Sequence, residues 1–348
     1  MVIFLSGRCG RLGDSAVIHE KVISMKPHLL VAGNIHEAGL KLLKEQSDVT
    51  YDYVADLTYE SYAALMPNAD GLVVRTQPVR AETIASAPRL KIVSRHGVGY
   101  DAVDVEALTK RKIPLAIVGD VNSRAVAEHA MMMMLSLSKR IKHYDHAVRD
   151  GQWALRNKFD SVELFEKALL IVGLGRIGRH LLGMARGLGM TVMAYDPVLS
   201  TEMITKLGAE PVAQLLDGLK RADFVSLHAP KTGDHPLIGK AELAAMKQTA
   251  LLVNTARGGL IDEVALVDAL NHKKIAGVGL DVFADEPPSS THSLLQRDDV
   301  YLTPHTASLT TESAIRMAVK SIQNAIDCFN GRLDPALVVN REAIGLGR

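Results

Sequence analysis

Two cysteines, Cys9 and Cys328, are all that this chain of 348 residues contains, and they lie near opposite ends. They cannot build a disulfide framework or a cysteine-ligated metal site, and they suit a reducing, cytoplasmic compartment. Aromatic residues are scarce, at 4% against 47% hydrophobic overall. Any core must therefore be made of Leu, Val, Ile, Ala and Met. Neither sign of charge prevails, since 40 Lys and Arg face 39 Asp and Glu. Without a basic excess there is no electrostatic footprint for nucleic acid and no cationic face for a membrane. No apolar run approaches the roughly 20 residues that cross a bilayer.

The length fits two domains rather than one. Residues 1–24 open with a short apolar run and continue with mixed charges and glycines. They lack the apolar core and cleavage site of a signal peptide. Met25 stands directly before a strand-like run, so residues 1–24 are expected to be a non-native or disordered extension. From Pro27 onward short apolar runs alternate with helical patterns. HLLVAG (28–33), DGLVVR (70–75), KIVSRHG (91–97) and PLAIVG (114–119) read as strands, EAGLKLLKEQ (37–46) and DAVDVEALTKR (101–111) as helices. Residues 123–145 hold no breaker and predict one long helix. Its four consecutive methionines, Met131 to Met134, wrap around a helix and cannot converge on one ion, so they are core or helix-packing residues. The polar stretch 149–164, with the only Trp, reads as an irregular arm. A second alternation follows, with strand-like runs at 167–173, 190–196, 223–229, 250–256, 275–282 and 300–304. These runs are apolar almost without interruption, as strands are in a parallel sheet covered on both faces. The last segment, 310–331, is amphipathic. The pattern predicts an α/β protein of two doubly wound parallel-sheet domains.

LLIVGLGRIGRH contains Gly173-x-Gly175-x-x-Gly178. The pattern is weak alone, but here a strand run leads into it and a helix follows. The glycines permit a tight turn, close approach of backbone to a pyrophosphate, and close helix–strand packing. Phosphates would sit at the helix N-terminus, against Gly173, Gly175, Arg176, Ile177 and Gly178. The next strand ends in Asp196, 18 residues beyond Gly178 and close to the ~20-residue offset of a ribose-binding acid. Asp196 would bond the ribose 2′-hydroxyl of NAD and repel the 2′-phosphate of NADP, and no Arg follows it closely.

In a parallel sheet all strands end on one edge, and ligands bind there. Just past the last three strand runs come Arg257 in NTARGGLID, Glu286 in FADEPP and His305 in LTPHTAS. Taken singly, each is an ordinary loop charge or a capped turn. Taken together on the edge that holds the glycine loop, they form a set. Hydride transfer to a carbonyl leaves an alkoxide that must be protonated, and His is the natural acid–base near neutral pH. A carboxylate would orient the imidazole, and Arg can grip a substrate carboxylate with two parallel bonds. Neither cysteine lies in these motifs, and they hold no cluster of metal-ligand spacing, so no metal is needed.

RHGVGYDAVD (95–104), NSRAVAEHA (122–130), GLGRIG (173–178), SLHAPKTGDHPLIG (226–239), VNTARGGLIDE (253–263), GVGLDVFADEP (277–287) and LTPHTAS (302–308) together make the chain similar to the D-isomer-specific 2-hydroxyacid dehydrogenases, in their phosphoglycerate dehydrogenase-like or hydroxypyruvate reductase-like group. The resemblance spans about residues 27–340. It implies a substrate-binding Arg257, a Glu286 that partners the acid–base His305, and cofactor contacts at His228, Thr255 and Asp281, the last to the nicotinamide carboxamide. It also implies that backbone at Val98 and Gly99 holds the substrate carboxylate, with Arg75 nearby. A Rossmann NAD domain (124–308, with a dimerisation helix and arm) would be inserted in a discontinuous, flavodoxin-like substrate domain (25–123 and 309–348), and the assembly would be a homodimer. Glu166 stands where the family usually has Gly, which puts that turn's conformation in question. The chain stops soon after its last helix, so on this reading it lacks the extra carboxyl-terminal regulatory domain of many phosphoglycerate dehydrogenases. Glu286 argues against the formate dehydrogenase branch, which usually has Gln there. The expected activity is NAD-dependent interconversion of a small D-2-hydroxy acid and its 2-oxo acid. A dianionic phosphate would want more cations than Arg257 and Arg75, so hydroxypyruvate or glyoxylate is favoured over 3-phosphoglycerate. Two further readings stay open: a non-carboxylate donor such as phosphite, and an NAD-sensing interaction protein resembling the carboxyl-terminal binding corepressors.

Overall fold

The computed structural model describes residues 26–347. The expectation for residues 1–24 lies outside that range. Its strands form two sheets in which every pairing is parallel. The first contains β1 (His28–Ala32), β2 (Thr50–Val54), β3 (Gly71–Val74), β4 (Ile92–Arg95) and β5 (Leu115–Ala116) in the order β2-β1-β3-β4-β5. The second contains β6 (Ala168–Val172), β7 (Thr191–Tyr195), β8 (Glu210–Pro211), β9 (Phe224–Leu227), β10 (Leu251–Asn254), β11 (Gly277–Leu280) and β12 (Val300–Leu302) in the order β12-β11-β10-β9-β6-β7-β8. These are the flavodoxin-like and Rossmann orders of doubly wound folds. In the second sheet the winding reverses between β6 and β9, which opens a crevice at the strand ends there.

Apolar residues on both faces of each strand explain the layering. Leu169 and Ile171 of β6 pack with Met131, Met133 and Leu137 of the Ser123–Ser138 helix, while Leu170 and Val172 face the opposite core. The methionine run is core as expected, with only Met132 turned outward. The Thr311–Phe329 helix returns to the first sheet, where Ala318, Ile322, Ala325 and Ile326 pack on Leu29, Val31 and Ile92. Val338 then bridges Ala116 of β5. The sequence runs 28–116 and 311–338 thus gather around one sheet.

The long helix expected over 123–145 is instead two, Ser123–Ser138 and Ile141–Arg149. Arg140 between them takes a left-handed φ of 52°. Contacts from distant residues divert the chain: Asp160 binds both the Arg140 guanidinium and the Tyr144 hydroxyl, and Tyr301 Oη accepts from the Lys142 N–H at 2.9 Å. Such tertiary bonds leave no local breaker to read. Strands β2 and β8 were also not anticipated. TYDYV carries an Asp and lies on a sheet edge, and β8 is two residues long. Glu166 adopts φ 60°, the left-handed conformation that favours Gly.

A side chain in that conformation costs roughly 1–2 kcal/mol, against about 0.5–1 kcal/mol of extra chain entropy for Gly. Glu166 is exposed, and its N–H keeps its bond to Gly189 O either way. Glu166→Gly should therefore stabilise the protein by about 0.5–1 kcal/mol and raise Tm by roughly 1–3 °C in a thermal melt. An unchanged or lower Tm would show that the Glu side chain compensates the turn.

Candidate active site

Each polar residue expected at the sheet edge is placed by the strand before it. After β10, Asn254 folds back on the loop: its Nδ2 donates to Arg257 O at 2.7 Å and its Oδ1 accepts from Ala256 N–H at 3.0 Å. Arg257 is thereby thrown across to the first sheet. Its Nε donates to Asp101 Oδ2 at 2.8 Å, and its guanidinium lies on the Gly99 backbone so closely that a Cβ there would fall 1.9 Å from Nη2. The structure thus brings Arg257 together with the Val98–Gly99 turn, and a side chain at 99 would push the guanidinium from its present position. The loop after β11 packs backbone to backbone on the loop after β10, since a Cβ at Gly258 would fall 1.8 Å from Phe283 O.

Past β11 and β12, Glu286 Oε2 lies 2.7 Å from His305 Nδ1, and Glu286 Oε1 accepts from Phe283 N–H at 3.1 Å. A carboxylate only accepts, so Nδ1 carries the proton and Nε2 is left for another partner. The imidazole is half exposed, with a side-chain accessibility of 53%. Asp281 lies behind His305. It is 1% exposed, and both its oxygens already accept from Thr303, Thr306 and Ala307.

Arg75 follows β3 and donates through Nη1 to Asn34 O at 2.9 Å. Beside it stands Arg95, the last residue of β4 and the register partner of Val74. Burial lowers the Arg95 pKa to about 10, with the positive charges of Arg257 and Arg75 adding to the effect and Asp101 opposing it. Three guanidinium groups therefore share one region. Sequence reasoning missed Arg95 and Asp101. The signal was available, because the edge rule applied to the second sheet places the ends of β3 and β4 together as well. Next to this cluster His96 is buried, and its pKa is lowered to about 4 by burial and then by Arg75 and Arg95.

The glycine loop is built for a dinucleotide. Gly173 has φ 95° and sits where a Cβ would fall 2.8 Å from the His228 backbone; a Cβ at Gly178 would fall 2.3 Å from Gly173 O; and Gly175 faces open space. No side chain caps the Arg176–Gly187 helix, so its first N–H groups remain for an anion. Arg176 is exposed and Ile177 packs on the core below. Asp196 ties the loop to β7: Oδ2 accepts from Leu174 N–H at 2.8 Å and Oδ1 from Val198 N–H at 2.9 Å. Among the buried polar atoms that find no partner within the described residues, two lie beside this loop, Thr255 Oγ1 and His228 Nδ1. His228 Nε2 pairs with Ser226 Oγ at 2.9 Å, and burial holds its pKa near 4, so the ring is neutral at pH 7. Unpaired buried polar atoms are costly unless a ligand satisfies them. Their place at the ends of β9 and β10, next to the β6 loop, fits a nicotinamide dinucleotide.

Comparison with known proteins agrees with this geometry. Residues 131–307 match the NAD binding domain of the D-isomer specific 2-hydroxyacid dehydrogenases. A D-3-phosphoglycerate dehydrogenase of Methanocaldococcus jannaschii is 39% identical over 287 residues, covering 82% of this chain and 54% of that protein. The chain thus spans about half the length of that relative. A glyoxylate reductase of Korarchaeum cryptofilum is 36% identical over 330 residues, 92% of this chain and 98% of that protein. Among solved structures, D-lactate dehydrogenase of Aquifex aeolicus, complexed with NAD and lactic acid, superposes with a TM-score of 0.78 at 27% identity, covering 92% and 99% of the two chains. Sheet orders, glycine loop and near-full-length likeness lead to one assignment: the chain belongs to the D-isomer specific 2-hydroxyacid dehydrogenase family.

Proposed function

We propose that the protein is an NAD-dependent oxidoreductase that interconverts a small D-2-hydroxy acid and its 2-oxo acid. The His305–Glu286 pair at 2.7 Å, on the same sheet edge as Arg257 and the glycine loop, carries this reading. Gly173, Gly175, Arg176, Ile177 and Gly178 would hold the pyrophosphate, Asp196 the adenosine ribose, and His228, Thr255 and Asp281 the nicotinamide end. The bound cofactor supplies or accepts the hydride. The Arg257 fork and the Val98–Gly99 backbone hold the substrate carboxylate and orient its carbonyl, with Arg75 adding positive potential. His305 Nε2 gives a proton to the oxygen as it becomes an alkoxide and takes it back in the oxidative direction. Glu286 stabilises the imidazolium and keeps Nδ1 as the donor to itself. Asp196, with no Arg close behind it, favours NAD over NADP.

The Ser123–Ser138 and Ile141–Arg149 helices and the arm after them expose Met132, Leu135, Ile141, Val148, Trp153 and Phe159, an apolar series that suits a homodimer. The cysteine count suits the cytoplasm.

A second reading rests on Arg95. Three guanidinium groups exceed what a monocarboxylate needs, and they favour a phosphorylated 2-hydroxy acid such as 3-phosphoglycerate. A panel decides between the two: NADH oxidation by glyoxylate, hydroxypyruvate and pyruvate beside NAD reduction by 3-phosphoglycerate. On the second reading Arg95→Gln costs 3-phosphoglycerate at least about tenfold more kcat/KM than glyoxylate, as expected for about 1.4 kcal/mol of charge-assisted bonding. Equal losses would remove Arg95 from substrate choice.

His305→Ala should lower kcat by roughly 10²–10⁴ with NADH affinity unchanged, as judged by cofactor fluorescence. Arg257→Lys should reduce kcat/KM at least about 30-fold, because an ammonium cannot reproduce the planar fork. Dinucleotide binding without turnover of any acid would instead favour an NAD-sensing interaction protein.

A further inference from the structure

His305 has φ 53° although it is not a glycine. A side chain in the left-handed region costs roughly 1–2 kcal/mol, and such residues persist where their surroundings over-determine them. Here the determinants converge on Asp281. The His305 N–H reaches Asp281 O at 2.8 Å and Thr303 O at 3.1 Å. The Asp281 carboxylate accepts from Thr306 N–H at 2.8 Å, from Ala307 N–H at 2.9 Å and from Thr303 Oγ1 at 2.6 Å.

This carboxylate is buried and, among the described residues, faces no Lys or Arg within ion-pair distance. An unpaired buried carboxylate is expensive unless hydrogen bonds satisfy it. The proton directions follow from that. A carboxylate can only accept, so the Thr303 hydroxyl donates to Asp281. Its oxygen lone pair is then left to accept, and His129 Nε2 lies 2.9 Å away to donate. His129 is neutral near pH 7 because burial lowers its pKa, with the Asp281 charge opposing. A neutral ring with Nε2–H completes the chain His129 → Thr303 → Asp281.

The location adds a second consequence. His129 lies on the Ser123–Ser138 helix, the segment that leads from the first sheet into the second. The turn 303–307 comes just before the Thr311–Phe329 helix, which leads back. The three side chains therefore tie the outgoing and returning segments together directly behind His305.

We propose that Thr303 and His129 are positioning residues, which through Asp281 lock the left-handed turn that aims the His305 imidazole at Glu286 and the substrate cleft. The inference rests on His305 being the acid–base group. Neither Thr303 nor His129 is among the residues proposed to hold substrate or cofactor, and their effect on His305 passes through Asp281 and the turn.

Thr303→Val tests this, because it keeps the side-chain shape and removes only the hydroxyl. Asp281 Oδ1 still receives the Thr306 N–H, so the fold should survive. The expected result is a kcat lowered at least tenfold, NADH affinity within threefold of wild type and a Tm lowered by only a few degrees. Thr303→Ser should restore kcat. His129→Phe should give a smaller loss, and the double variant should be no worse than Thr303→Val alone, since both break one chain. The imidazole resonance of His305, assigned by its disappearance in His305→Ala, reads the turn without turnover and should shift or broaden in Thr303→Val. A kcat within threefold of wild type together with an unmoved resonance would overturn the proposal. So would a loss of kcat accompanied by equal loss of NADH binding and a collapse in Tm, which marks a merely structural role. If the wild type turns over no acid at all, the proposed activity fails, while the resonance still decides whether Thr303 positions His305.

Discussion

A parallel strand cannot be reached by a hairpin; the chain must cross back over the face of the sheet before each new strand. All strands of a sheet therefore end on one edge, and whatever follows them collects there. Every chemically distinctive residue of this protein depends on that constraint. Arg257, Glu286 and His305 lie far apart in sequence and meet because β10, β11 and β12 are neighbours with their ends aligned. The glycine loop after β6 joins them because the winding reverses between β6 and β9, leaving a crevice that no crossover covers.

The same rule acts on the smaller sheet, and the two edges face one another through Arg257. Its guanidinium leaves the second sheet, rests on the Gly99 backbone and pairs with Asp101. In the proposed role, a carboxylate substrate would compete with Asp101 for that fork, and Arg257 would be both a bridge and a binding group. Around it Arg75 and Arg95 supply positive potential from the ends of β3 and β4. Burial and mutual repulsion make that arrangement costly, as the lowered pKa of Arg95 records. An anion placed among these groups would offset that cost, which fits the proposed substrate-binding role.

Much of this was legible in the sequence, and the reason is period. Strands buried on both faces are read as unbroken apolar runs, so nearly all the long strands of both sheets, the glycine loop and the three residues beyond β10, β11 and β12 could be named without coordinates. What escaped lacks a local signal. TYDYV lies on an edge and is partly polar; the break at Arg140 comes from Asp160 and Tyr301, distant in sequence; and Arg95 is found only if the edge rule is extended to the smaller sheet. Thr303 and His129 belong to the same class. Nothing in a lone Thr or a helical His reports that both will meet a buried carboxylate.

Two residues in left-handed conformation show how the molecule treats strain. Glu166 and His305 have nearly the same φ, 60° and 53°, in turns on either side of the second sheet. The Glu166 turn is exposed and held only by backbone bonds, from Glu166 N–H to Gly189 O and from Lys167 N–H to Leu164 O, and the strain there is dispensable. The His305 turn is held by bonds from Asp281 and Thr303, with His129 behind them, at the cost of a buried negative charge. A glycine at 305 would relieve the backbone but remove the imidazole. With His305 as the proposed acid–base group, side chain and conformation would both be needed at that position, and the surroundings hold the strained turn in place. In the proposed reaction, fixing the imidazole in advance would spare the entropy of ordering it on substrate binding, which is where a positioned acid gains over a free one.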